Sequence, residues 1–179
     1  MQFSHKCCIY SILFNKFFIM NPLLNKEPVK RAEKAIKAFN SNLEIICLEK
    51  TARTAQDAAT ALGCNVGAIV KSLLFKTEDN FILCLVSGDK RCSLNKLKVI
   101  LNIKDVSMAH PNEVKKITGY TIGGVSPVGH LNKLKIYIDN NLERFTTIFA
   151  AAGHPNCVFK IDFKQLIILT NGKKKEITE

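Results

Sequence analysis

No C-x-x-C pair and no Cys/His spacing of the kind that holds zinc occurs in the 179 residues, although the chain carries seven cysteines. They are Cys7, Cys8, Cys47, Cys64, Cys84, Cys92 and Cys157, an odd number, and Cys47 and Cys84 stand in apolar runs where cysteine acts as a small hydrophobe. The pattern argues against zinc and against a disulfide framework, and reduced thiols in a cytoplasmic protein are expected. His5, His110, His130 and His154 are too scattered for a metal motif. Neither a metal nor a cofactor is expected. Long apolar runs are missing too. Cys7–Phe14 and Phe17–Met20 are separated by Asn15 and Lys16, short of the ~20 residues of a membrane span. No small-x-small cleavage site marks a signal peptide. A Walker A loop, a dinucleotide fingerprint and a G-x-S-x-G elbow are all absent, and no Cys or Ser has a partner histidine at a telling spacing. An enzyme built this way works by positioning and by backbone electrostatics on a reactive bond.

What is present is basic charge, with a net +11 and a pI near 9.4. Residues 1–50 carry net +4, residues 51–90 net zero and residues 91–179 net +7, so most of the excess lies in the second half. RNA, DNA or an acidic membrane would suit this balance, and so would a solvated lysine-rich surface. The length fits one domain. Residues 1–24 read as an N-terminal extension, since Met20-Asn21-Pro22 offers an equally good start, and 25–179 as the folded domain.

The periodicities predict an α+β fold, a single domain with a curved, mixed, partly open barrel-like sheet flanked by helices. Pro28–Phe39 reads as an amphipathic helix with Val29, Ala32, Ile36 and Phe39 on one face. Leu43–Leu48 reads as a strand, and Thr54 with Asp57 as a capping box opening a helix that Gly63 ends. Gly67–Lys76 and Phe81–Ser87 form a predicted hairpin. Ser93 is placed to cap a helix through Leu101, Val106–Ala109 reads as a short strand, and Pro111 opens a helix that Gly119 stops. Lys135–Ile138 and Thr146–Ala151 read as strands around a short helix near Asn141–Phe145. Cys157–Ile161 is a last strand, with Asp162 capping a brief helical turn.

Two segments break the pattern. Alternation in Ile69-Val70-Lys71-Ser72-Leu73-Leu74-Phe75 puts Lys71 on the same face as Ile69, Leu73 and Phe75. A cation there costs free energy unless it is paired, lines a cavity, guards an edge strand or snorkels to water. The second is Gly119–Gly129, with four glycines and Pro127 in eleven residues. Such a loop can aim backbone groups at a ligand, as oxyanion holes do, or simply connect elements. Two weaker segments are the charged turn Ser87-Gly88-Asp89-Lys90-Arg91 and the small-residue run Ala150–Pro155. In the latter His154 could serve as a base or play a structural part.

In this order, TAQDAATALG (Thr54–Gly63), GAIVKSLLF (Gly67–Phe75), LVSGDKR (Leu85–Arg91), MAHPNEVKKITGY (Met108–Tyr120), GGVSPVG (Gly123–Gly129), IDNNL (Ile138–Leu142) and AAAGHPNCVF (Ala150–Phe159) resemble the YbaK/ProX-like family of trans-acting aminoacyl-tRNA deacylases. That family is kin to the editing domain of bacterial prolyl-tRNA synthetases. The resemblance implies hydrolysis of the ester in a mischarged tRNA carrying a small amino acid such as Cys, Ser, Thr or Ala. It implies that Lys71 is required for deacylation and holds the tRNA acceptor end, and that Gly123, Gly124, Ser126 and Pro127 surround the scissile ester. Ser87, Asp89, Asp139, Gly153, His154 and Pro155 match segments that shape the substrate site. Val128 stands where many members have phenylalanine, and Ala151 where some cysteine-specific members have serine. Both change pocket volume and polarity and put the usual cysteine assignment in question. The partners implied are mischarged tRNA and, as a further candidate, an aminoacyl-tRNA synthetase, with no membrane and with a monomer or weak homodimer. A rival reading is a non-catalytic tRNA- or RNA-binding regulatory module of the same fold. Another is hydrolysis of a different small acyl ester.

Overall fold

The computed structural model describes residues 21–49 and 52–179. Of the expected extension over 1–24, residues 1–20 lie outside the described residues. Pro22–Asn25 forms a single 3-10 turn whose Leu23 and Leu24 pack against the core. Helix α1 (Glu27–Phe39) follows, carrying Pro28 in its first turn, and buries Val29, Ala32 and Ile36 completely. Strand β1 (Ile45–Cys47) is shorter than the pattern suggested. Helix α2 (Ala55–Leu62) opens on the expected capping box, with Thr54 and Asp57 each accepting from the other's amide, and ends on Gly63 in the left-handed region.

Strands β2 (Ile69–Thr77) and β3 (Phe81–Ser87) form the central antiparallel hairpin. Gly67 and Ala68, expected in the strand, instead close a 3-10 turn that Asn65 caps. Because β3 is interior, it is buried on both faces. Leu83 and Leu85 join one core with α1, while Cys84 and Val86 join a second with Phe75, Leu97 and Ile177. Helix α3 (Leu94–Leu101) starts after Ser93, but the Ser93 side chain makes no cap; the residue is buried, with its amide donating to Ile177 O at 2.8 Å. Strand β4 (Val106–Met108) leads into α4 (Pro111–Thr118), which is capped reciprocally by His110 and Glu113. Then come β5 (Lys135–Asp139), a 3-10 segment Asn140–Arg144, β6 (Ile148–His154) and β7 (Cys157–Ile161). Helix α5 (Phe163–Thr170) is longer than the turn expected after Asp162, and an unanticipated strand β8 (Lys173–Lys175) follows it.

The eight-stranded sheet is mixed, ordered β1-β7-β6-β2-β3-β5-β8, with β4 paired to β2 off this path. One irregularity positions the site. Opposite β3, strand β2 pairs with β6 only at Ile69 and Val70, and with β4 only from Phe75 onward. Lys71, Ser72 and Leu73 therefore have β3 on one side and no strand on the other. On the far side of this gap β6 carries a register shift between Ala151 and His154, with Gly153 at φ +85°.

Candidate functional site

A cavity of about 430 Å³ opens at the gap in the sheet. Its walls come from five parts of the chain. β2 supplies Ile69 to Leu74, the glycine loop supplies Ile122, Gly123 and Val125, and the β6–β7 hairpin supplies Phe149, Ala151, Pro155 and Val158. Ala52 to Ala55 and Ala58, at the start of α2, and Met108, Ala109 and Val114, from β4 and α4, complete the rim. The lining is largely apolar and, among the described residues, holds no histidine, cysteine or carboxylate, so its polar side chains are Arg53, Thr54, Lys71 and Ser72. Sequence reasoning passed over Ser72. It lies on the β2 face of Val70 and Leu74, and its buried hydroxyl has no hydrogen-bond partner. A serine between two apolar neighbours on one strand face was the available signal.

Lys71 reaches across the Ser87–Arg91 turn and donates from Nζ to the Lys90 carbonyl. Burial holds its ammonium below the ordinary lysine range, with Asp89 pulling the other way. Asp89 is itself tied down, since Arg144 Nη2 reaches both its oxygens at 2.8 and 3.0 Å. Burial pushes the Asp89 carboxyl upward, but the bonds from Arg144 and Ser87 outweigh it and leave the group below its usual value. The Ser87 hydroxyl sits 2.6 Å from Gly67 O and 2.7 Å from Asp89 Oδ1. Ser87 and Asp89 thus shape the turn that holds Lys71 and stand outside the cavity lining. Asp139 also lies outside it, fully buried, accepting from Thr178 Oγ1 at 3.0 Å with its second oxygen unpartnered.

The glycine loop is fixed from behind. Arg31 of α1 donates to the carbonyls of Thr118 (3.1 Å), Gly119 (3.0 Å) and Gly129 (2.8 Å), and its guanidinium lies 4.5 Å from the centre of the Tyr120 ring. The fully buried Tyr120 hydroxyl lies 2.9 Å from both Val128 O and Gly129 O, and burial pushes its pKa up to about 12, so it remains a donor. His130 Nε2 lies 2.8 Å from Ser126 O. Neither Arg31 nor Tyr120 was singled out from sequence, because a charged residue on an amphipathic helix looks like any solvated one. Gly124 is packed so closely that a Cβ would lie 2.8 Å from His154 Cα. Of the expected loop residues, Gly123 faces the cavity, while Gly124, Ser126, Pro127 and Val128 are buried behind that wall. Ala151 and Pro155 line it, whereas Gly153 and His154 form the bulge that turns the hairpin. His154 Nδ1 accepts from the Asn156 amide at 3.2 Å, and burial with nearby Lys26 lowers its pKa, so it acts as a neutral turn brace.

Residues 49–169 match the model of the aminoacyl-tRNA editing domain. Among curated proteins, the uncharacterized protein YwhH of Bacillus subtilis is 34% identical over 129 residues, covering 72% of this chain and 82% of that protein. EbsC of Enterococcus faecalis, named provisionally as a Cys-tRNA(Pro)/Cys-tRNA(Cys) deacylase, is 28% identical over 126 residues, covering 70% of this chain and 77% of EbsC. A proline--tRNA ligase of Caldicellulosiruptor bescii is 28% identical over 164 residues, or 89% of this chain but 26% of the ligase. A crystal structure described provisionally as a trans-editing enzyme for prolyl tRNA synthetase superposes with a TM-score of 0.82 at 36% identity, covering 86% of this chain and 98% of that one. Among the described residues no helix is long and apolar enough to cross a membrane. With its family model matched from 49 to 169 and its fold shared across nearly all of that solved structure, this chain belongs to the aminoacyl-tRNA editing domain family.

Proposed function

We propose that the chain is a trans-editing hydrolase that removes a small amino acid from mischarged tRNA in the cavity at the β2 gap. Family membership supports the reaction class, hydrolysis of the ester joining an amino acid to the tRNA 3′ ribose. The observation that carries the reading is the cavity itself. Lys71, the orphan Ser72 hydroxyl and the Gly123 wall, with Arg53 and Thr54 at the rim, surround an apolar space to which the described residues bring no histidine, cysteine or carboxylate. The described lining thus offers no His-activated nucleophile that could form an acyl-enzyme. It can hold an ester that water attacks, with the loop backbone stabilising charge that develops on the carbonyl oxygen.

Lys71 is the anchor of this scheme. Its charge, half withdrawn from solvent, would grip the anionic acceptor end and loosen as salt rises. The apolar walls of Ala58, Val70, Val125 and Ala151 ask for a small side chain with little polarity. A substrate hydroxyl buried there costs free energy unless it pairs with the unpartnered Ser72 hydroxyl, so alanine fits the walls best and serine only when it makes that bond. The likeness to a trans-editing enzyme for prolyl tRNA synthetase supports the proline-accepting tRNA as the one that is mischarged and that synthetase as the functional neighbour.

A panel of tRNAs mischarged with Ala, Cys, Ser or Thr, incubated with purified protein and with Lys71→Ala, tests the proposal. Loss of aminoacyl ester that depends on Lys71 is expected for at least one of them. Binding of tRNA without any Lys71-dependent ester loss would instead support a non-catalytic RNA module. Cleavage of small free esters that tRNA does not inhibit would support a different acyl hydrolase.

A further inference from the structure

The aminoacyl cavity is one of two that meet at Lys71. The second, about 320 Å³, lies between Leu73 and Phe75 of β2, Cys92, Leu94 of α3 and Met108 of β4, with Lys71 and Arg91 as its two cations. Lys71, Leu73 and Met108 line both cavities. Strand alternation explains the arrangement: Lys71, Leu73 and Phe75 point to one face of β2, and Val70, Ser72 and Leu74 to the other. Along most strands neighbouring strands would separate these faces. Here the unpaired edge at Lys71–Leu73 lets the two spaces share a wall.

We propose that this second cavity receives the base of the terminal nucleoside of the aminoacyl-tRNA, so that the ribose bearing the ester lies at Lys71 where the cavities join. The inference rests on the hydrolytic reading above and adds a subsite to it. An aminoacylated 3′ end is a two-armed ligand, with an acyl group and a flat base attached to one sugar. Two cavities sharing a cationic wall match that shape. The second cavity has the chemistry of a stacking slot. Leu94 and Met108 are 40% and 58% exposed although apolar, which leaves an uncovered apolar surface at its mouth. A methionine side chain adapts readily to a flat partner. Arg91 is exposed and makes no ion pair with any of the described residues, so it is free to meet the phosphate of that nucleotide.

The slot also predicts how the base is read. Among the described residues its side-chain polar groups are Lys71, Arg91 and the Cys92 thiol, with no carboxylate or amide side chain in its lining. With its two cations engaged by the phosphate and the ribose, the slot has no strong side-chain donor or acceptor left to match a pattern along a base edge, as specific base readout does. Recognition by stacking distinguishes a base from no base strongly, a purine from a pyrimidine weakly, and one purine from another hardly at all.

Minihelix RNAs charged with the same amino acid, but ending in adenosine, purine riboside, cytidine or an abasic ribose, test this directly. The abasic substrate should show a KM raised about tenfold with kcat little changed, and cytidine a smaller rise. Leu94→Gln, an exposed neutral change at a residue that lines the second cavity and not the aminoacyl one, should raise KM for the adenosine-ended substrate by a similar factor and leave the abasic one unaffected. Titration with AMP should move the methyl resonances of Leu94 and Met108 in an NMR spectrum, and ribose 5-phosphate should not. Equal kcat/KM for adenosine-ended and abasic substrates, or methyl resonances unmoved by AMP, would overturn the slot while leaving hydrolysis intact. AMP-induced shifts in a protein that cleaves none of the charged RNAs would support the slot and remove the hydrolytic reading.

Discussion

The two walls of the aminoacyl cavity are built on opposite principles. On the loop side polar groups meet partners: Arg31 binds three carbonyls, Tyr120 lies beside one of these and a fourth, His130 meets a fifth, and Gly124 is pressed against the β6 backbone. On the β2 side the loose ends collect. Lys71 is held by a single carbonyl, Ser72 has a buried hydroxyl without a partner, and three residues of the strand lack a neighbour on one edge. A satisfied wall is rigid and can present a backbone surface at a fixed place. An unsatisfied wall stores unmet interactions that an incoming ligand can meet. The contrast assigns geometry to the loop and binding to the strand, and each assignment can be broken separately.

The largest effect should come from the strand side. Lys71→Ala is expected to lower deacylation of the best mischarged tRNA by at least about a hundredfold, with unchanged melting. The same group gives a pH signature. Because burial lowers its pKa, Lys71 loses its proton at a lower pH than free lysine, so KM should rise on the alkaline side before the ordinary value of about 10.4 is reached. A KM flat across that range, measured on a tRNA whose ester survives the assay, would show that the ammonium does not hold substrate. The loop side should respond differently. Arg31→Ala unpairs three carbonyls and removes the stack on Tyr120, and should cost about 3 kcal/mol of stability and loosen the Gly123 wall. Arg31→Lys should rescue little, since one ammonium cannot reproduce the planar fork. A melting temperature unmoved by both changes would mean that the loop holds itself.

Much of this was legible in the sequence, for definite reasons. The α2 capping box, its terminating Gly63 and the β2–β3 hairpin follow from local rules acting over a few residues, and all appear as expected. Lys71 announced itself by standing where alternation forbids it. The features missed are those that distance in sequence conceals. Arg31 lies 98 residues from Gly129, and no local pattern links them. The unpaired stretch of β2 exists because β6 and β4 meet the same edge at separate places, which is a property of topology. The short strand β8 consists of three lysines, and only its parallel pairing to β5 makes it a strand. The expected cap at Ser93 failed for a similar reason, because the residue is drawn into the interior, where its amide donates to Ile177 in the segment beyond β8.

His130 offers a milder test of the satisfied wall. Burial lowers its pKa, only partly offset by its bond to Ser126. A histidine whose folded-state pKa lies below its unfolded value resists protonation, so the folded state loses stability as pH falls through about 6.5 toward that lowered value. His154 shifts the same way and adds to the slope. His130→Gln, which keeps a donor for Ser126 O, should therefore flatten the fall in melting temperature between about pH 7 and 5 without abolishing it. An unchanged slope would place the acid sensitivity elsewhere.

The smallest expected effect bears most directly on the difference between the walls. If the Ser72 hydroxyl is unpaired because it waits for substrate, its removal should help the empty protein and harm the reaction. Ser72→Ala takes away a buried polar atom that nothing satisfies, so stability should rise by about 1 kcal/mol. In the same variant kcat/KM should fall, because the group that would pair with the aminoacyl ester is gone. Substituting a serine on the loop gives the opposite contrast. The Ser126 hydroxyl already accepts from the Val128 amide, at 3.4 Å, so Ser126→Ala should lower stability. Opposite signs of the stability change at these two buried serines, read by denaturant midpoint, would establish that one wall is built for the fold and the other for the ligand. Equal signs would show that the unpaired hydroxyl is an accident of packing, and the division of labour between strand and loop would have to be given up.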